Sequence, residues 1–185
     1  MPDQLAISLH GGKSIKTLAG KRNTYLVTSN LSTNDPRWGE LGRLGACVVL
    51  NCSAEHGLES DGSACGGGAP IPYLTCPIIE MDRWPYVAFW RARNAIRTYS
   101  DGGRLPVVFH CRAGITRSMQ MAVTQLLASG EDVPVEQHDR WHALVSGGRI
   151  PEDILDFLRL QDRHPERNAD RIFKELRQGS AQGSS

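Results

Sequence analysis

A chain of 185 residues is long enough to bury one core of ordinary size and short for two. With 21 Lys+Arg against 20 Asp+Glu, its net charge of +1 argues against a nucleic-acid or membrane-surface protein working through bulk electrostatics. The cysteines, Cys47, Cys52, Cys65, Cys76 and Cys111, are odd in number and irregularly spaced, with no Cys-x-x-Cys pair for a structural zinc. A reducing compartment is therefore expected. No apolar run approaches the ~18 residues of a membrane span, so the chain is expected to be soluble and cytoplasmic.

Leu5 to Leu9 is a short apolar-rich piece, followed by Gly11-Gly12-Lys13-Ser14. The latter is not a Walker loop, because Ile7 stands where that pattern needs its first glycine. Thr24 to Thr28 alternates as a strand, and Asn30 to Asp35 has turn chemistry. Asp35-Pro36 predicts a helix start, with Trp38, Leu41 and Leu44 on one face and Gly45 as the stop. Cys47 to Leu50 is an apolar strand of a sheet covered on both faces. His56 to Pro72 is Gly-rich and predicts a mobile loop.

Tyr73 to Ile79 is strand-like, with Pro77 restricting it to an edge or ending it. A helix is predicted over about 85–99, burying Val87, Phe89, Trp90, Ala92, Ile96 and Tyr99 and showing Arg91, Arg93 and Arg97 to solvent. Val107-Val108-Phe109-His110 is a buried strand, after which Met119, Ala122, Val123, Leu126 and Leu127 recur at helical spacing up to Gly130. Pro134 to Val145 reads as a further helix. Its His138 and His142 have the spacing of a metal pair without a third ligand, so no metal site is expected. Pro151 opens a last helix with Glu152 and Asp153 at its positive end.

Between the Val107–His110 strand and the next helix lie Cys111, the loop Arg112-Ala113-Gly114-Ile115-Thr116, then Arg117 and Ser118. A short strand-to-helix turn directs successive backbone N–H groups at one anion, reinforced by the helix N-terminus. A cysteine at its base is expected to titrate at roughly 3.5–7.5 and to be a thiolate nucleophile at neutral pH. Arg117 can hold two oxygens of a phosphate with its planar fork, and Ser118 can hydrogen-bond the departing sulfur. An oxygen leaving phosphorus must also be protonated, which a thiolate cannot do, so a general acid is needed elsewhere.

The run His110-Cys111-x-Ala113-Gly114-x-x-Arg117-Ser118 resembles the signature of the cysteine-dependent protein tyrosine phosphatase superfamily, in its dual-specificity form. The resemblance extends from about Tyr25 to about Asp162. It implies a single α/β domain: a central, mostly parallel sheet of about 4–5 strands with helices on both faces. Residues 24–164 would be the catalytic domain, 1–23 an N-terminal extension, and 165–185 a tail with a disordered end. The family places its acid at the end of an upstream strand, where Asp82 stands, with Glu80 on the same strand face as competitor. Catalytic roles are thus expected for Cys111, Arg117, Asp82 and Ser118, and phosphate binding for Arg112, Ala113, Gly114, Ile115, Thr116 and Arg117. Some members pair the nucleophile with a second cysteine in a reversible disulfide, and Cys52 holds that position. The implied activity is a metal-free and cofactor-free phosphatase, by default a monomer acting on phosphotyrosine, phosphoserine or phosphothreonine in proteins. Phosphoinositides, RNA 5′-phosphates and a catalytically weak phosphate-binding module are the alternatives. A rhodanese-type sulfurtransferase fits the loop pattern less well. In a Cys-His hydrolase, His110 would have to face Cys111, and strand alternation aims it away.

Overall fold

Val107–His110 (β7) is buried along its whole length, and the sheet is assembled around it. The computed structural model describes residues 5–10, 13–19, 23–32, 34–55, 62–64, 70–78, 85–101, 104–131 and 152–164. Within these, β7 pairs in parallel with Thr24–Thr28 (β3) on one side and Val48–Ser53 (β4) on the other. Beyond β4, Ile71–Ile78 (β6) also runs parallel. Three further strands are antiparallel: Leu5–His10 (β1) pairs with Lys13–Ala19 (β2), β2 with β3, and Gly62–Ala64 (β5) with β6. The order is β1-β2-β3-β7-β4-β6-β5. A parallel core of four strands is thus widened at its margins to a mixed, seven-stranded sheet among the described residues. Lys13 and Ser14 open a strand rather than a helix, which removes the last support for a nucleotide loop there.

Four helices, Arg37–Arg43 (α1), Tyr86–Tyr99 (α2), Arg117–Ala128 (α3) and Glu152–Arg163 (α4), are described. Strand alternation divides the core in two. Val107, Phe109 and Cys111 lie with Phe89, Ile96, Met121, Ala122, Leu126, Phe157 and Leu158 in the larger cluster, on the side of α2, α3 and α4. Val108 lies with Leu26, Val49, Tyr73, Trp38 and Leu41 in the smaller one, on the side of α1. The parallel strands are apolar on both faces because both are covered. Pro77 falls beyond the short β5 pairing, which spans only Ile71–Tyr73, and at the register shift in the β4–β6 pairing between Asn51 and Ser53.

Two helical faces differ from the sequence expectation. On α1, Trp38 and Leu41 are buried, but Leu44 is 39% exposed because the helix has already ended and Leu44 is its C-cap. On α2, Val87 and Tyr99, expected inside, are 58% and 37% exposed, while Arg93, expected outside, is buried. The cause is α4, whose Asp162 accepts hydrogen bonds from Arg93 Nε, at 2.9 Å, and from Nη2. The same guanidinium donates to Gln125 O and Ser129 Oγ on and after α3, tying three helices together. Gly130, at φ +71°, closes α3 as expected. The helix read over Pro134–Val145, with His138 and His142, the Gly-rich stretch apart from β5 and its last residues, and the 165–185 tail lie outside the described residues.

Candidate active site

The loop from Cys111 to Thr116 connects the C-terminal end of β7 to the N-terminus of α3. Thr116 caps α3 without a side-chain hydrogen bond, so the orphan N–H groups of the first turn are not capped by its hydroxyl. Cys111 is 2% exposed, with Ser118 Oγ 3.2 Å from its sulfur. Burial pushes its thiol up, but the Ser118 hydroxyl and the backbone N–H groups of Ser118, Ile115 and Gly114 outweigh this and lower its pKa. The Ser118 hydroxyl and the backbone amides thus favour the thiolate form of the sulfur.

Gly114 is required by shape. It adopts φ +66°, and a Cβ on it would lie 2.5 Å from Ser29 N and Thr28 C. The loop rests on the end of β3 there, and Asn30 N donates to Arg112 O at 3.2 Å. Arg112 and Ile115 are exposed on the outer side.

Arg117 is 5% exposed. Its Nη1 donates to Glu55 Oε2 at 2.5 Å and to Ile78 O at 3.4 Å. Ser53 Oγ donates to the same Glu55 oxygen at 2.9 Å. Hydrogen bonding to Arg117 first, and to Ser53 second, holds the Glu55 carboxyl at about 2. Sequence reasoning did not select Glu55; the available signal was a carboxylate just beyond a fully buried strand whose neighbour ends in the cysteine loop.

His110 projects to the other face of the sheet, where its Nε2 is 2.9 Å from the Tyr73 hydroxyl. Burial, and then the Arg37 charge, press its pKa down to about 3, so the ring is neutral. A Cys111–His110 pair is thereby excluded. Cys52 is buried in the same cluster as Cys111, as a free thiol raised well above its ordinary value by burial, with Cys76 and Cys111 adding to the effect. Asp82 and its competitor Glu80 lie outside the described residues. Asp101 is at the end of the sheet where the parallel strands begin, away from Cys111. Among the described residues no cluster of His, Cys, Asp and Glu is arranged to hold a metal.

No family model matches this sequence, and no curated protein matches it. Solved structures do. TpbA of P. aeruginosa is 16% identical, with 95% of this chain and 98% of that chain covered and a TM-score of 0.50. The chain has the fold of TpbA, a single α/β domain with a mixed sheet flanked by helices. PTPMT1 in complex with PI(5)P is similar at 18% identity, covering 84% and 94% of the two chains, with a TM-score of 0.49. A putative phosphatase (DUF442) of Shewanella putrefaciens CN-32 is similar at 18% identity, covering 74% and 87%, with a TM-score of 0.47. At such identities the likeness speaks for the fold alone, and the chemistry has to be argued from the site.

Proposed function

We propose that this protein is a phosphatase that hydrolyses phosphomonoesters through a cysteinyl-phosphate intermediate. The observation that carries the reading is Cys111 itself: a buried sulfur with a lowered pKa, ringed by loop N–H groups, at the foot of a helix that opens with Arg117. In this mechanism the thiolate attacks phosphorus in line. The amides of Arg112, Ala113, Gly114, Ile115 and Thr116 and the Arg117 guanidinium bind the equatorial oxygens, where charge stabilisation supplies most of the rate. Asp82 protonates the leaving oxygen, and its carboxylate then activates the water that hydrolyses the S–P bond, while Ser118 donates to the departing sulfur. Asp82 follows closely on Ile78, whose carbonyl is within reach of Arg117, which supports its assignment.

The substrate assigned is a phosphorylated protein side chain in a reducing, cytoplasmic setting. Arg112 supplies one exposed positive charge on the loop, less than a multiply charged phosphoinositide headgroup would engage. Cys52, buried in the same cluster as Cys111, is read first as a small packed side chain; as a redox partner it would act after peroxide converts the Cys111 thiolate to a sulfenic acid, its thiol displacing water to form the disulfide.

The test is aryl-phosphate hydrolysis across pH 5–8 with Cys111→Ser and Asp82→Ala beside the wild type. Cys111→Ser is expected to lose at least about 10³-fold in kcat while still binding phosphate, and Asp82→Ala to lose rate chiefly on the basic limb. Turnover retained by Cys111→Ser would overturn the mechanism. Faster hydrolysis of phosphoinositide than of phosphopeptide would overturn the substrate assignment.

A further inference from the structure

Arg37 is fully buried in a phosphatase fold where nothing about the reaction calls for it. It opens α1 on the face of the sheet opposite Cys111. A guanidinium is costly to bury unless it is paired and its donors are used. Here Nε and Nη2 donate to the two oxygens of Asp35, at 2.8 and 2.7 Å. The remaining bonds all go to three consecutive residues: Nη1 to Thr28 Oγ1, to Ser29 O at 3.2 Å and to Ser29 Oγ at 3.0 Å, and Nη2 to Asn30 O. Asp35 Oδ1 also accepts from Arg37 N at 3.1 Å, which sets the side chain at the start of the helix.

Those three residues are the support of the phosphate loop. Gly114 lies so close to Thr28 and Ser29 that there is no room for a Cβ, and Asn30 N holds Arg112 O. Gly114 N–H is in turn one of the amides that lower the pKa of Cys111. A continuous path of contacts therefore joins Arg37 to the thiolate without touching it: guanidinium, Thr28–Asn30, Gly114 and Arg112, then the amides around the sulfur.

We propose that Arg37 is a positioning residue, whose forked guanidinium clamps Thr28–Asn30 so that the Gly114 and Arg112 stretch of the loop holds its amides toward the thiolate and toward bound phosphate. Lysine at this place keeps the charge but not the planar fork that reaches three residues at once. The inference rests on Cys111 being the reactive thiol of the proposed phosphatase.

The experiment measures the rate of Cys111 alkylation by iodoacetamide against pH, located by peptide mass, together with tungstate affinity, so that no turnover is required. Wild type is compared with Arg37→Lys, Arg37→Met and Arg93→Lys. The last alters an equally buried arginine that ties α2, α3 and α4 far from the loop, and serves as a matched loss of stability. Arg37 variants are expected to show a raised thiol pKa by about one unit, an alkylation rate at pH 6 lowered about tenfold, and tungstate affinity lowered by a similar factor. Arg93→Lys is expected to melt earlier with an unchanged alkylation profile. Should neither Arg37 variant fold, Thr28→Val removes one bond of the clamp and is expected to shift the profile in the same direction by less. Profiles in the Arg37 or Thr28 variants that overlay the wild type overturn the positioning role. A wild-type Cys111 that alkylates like an ordinary thiol overturns the phosphatase reading first, so the two failures are distinguishable.

Discussion

The two faces of the sheet are built from different materials. Under α2, α3 and α4 the core is apolar and large, and its buried charge, Arg93, joins helices to one another. Under α1 the core is smaller, and beside it lies a polar group formed by Arg37, Asp35, Thr28, and the His110–Tyr73 pair. All of the latter sit near the C-terminal ends of β3 and β7 or beneath them, where the Cys111–Thr116 loop begins. The contrast teaches that stability is concentrated on one face and loop geometry on the other. Apolar burial is non-directional and suits holding helices down, whereas hydrogen bonds are directional and suit holding three backbone units in register.

That division can be broken by substitution. Phe157, fully buried on α4 and edge-on to Tyr86 at 5.3 Å, is the strongest test of the apolar face. Phe157→Ala is expected to cost about 3–5 kcal/mol in urea unfolding while leaving alkylation of Cys111 in the folded fraction unchanged. A change in that reactivity would mean the faces are coupled. Gly114→Ala tests the converse. With a positive φ and no room for the methyl, it is expected to lower kcat/KM by about 100-fold through displacement of the loop, with a smaller loss of stability than Phe157→Ala. Should the larger effect be on stability, the loop is part of the core rather than a device resting on it.

The pH dependence of folding offers a third test. His110 has a folded pKa near 3 against an ordinary 6.5, so the unfolded chain takes up a proton that the folded chain refuses across that interval. Stability is therefore expected to fall as pH drops from about 6.5 toward 3, and His110→Gln is expected to flatten that slope in melting curves. Glu55 changes stability with pH in the same direction, as a carboxylate held ionised. Its folded pKa near 2 stabilises the protein above its ordinary value of 4.5, and that contribution is lost as pH falls from there toward 2. The difference in Tm between wild type and Glu55→Gln is expected to be constant from pH 8 to 5 and to close below 4.5.

Much of this was legible in local sequence. The strand, glycine and helix start around Cys111 are written in adjacent residues, and the structure brings Cys111, Ser118 and Arg117 to one end of β7 as that pattern requires. The buried arginines were not legible. Arg93 sits on an amphipathic helix, where an arginine reads as solvent-facing until a carboxylate from elsewhere arrives, whereas Arg37 has its carboxylate, Asp35, two residues away and finds its other acceptors on Thr28, Ser29 and Asn30. For Arg93 that carboxylate is Asp162, 69 positions away. Glu55 was missed for the same reason, since its partner Arg117 is 62 positions on.

Sequence alone was sufficient for the strand, loop and helix start around Cys111 and for the apolar strands of the core, because apolar periodicity and a glycine at an obligatory positive φ are properties of neighbouring residues. Tertiary structure alone decided which side of α2 faces inward, which carboxylate holds Arg117, and that an arginine on the far face supports the loop. Those outcomes depend on which charges meet after the chain has folded, and the desolvation of a guanidinium is compensated only by partners that sequence spacing does not reveal.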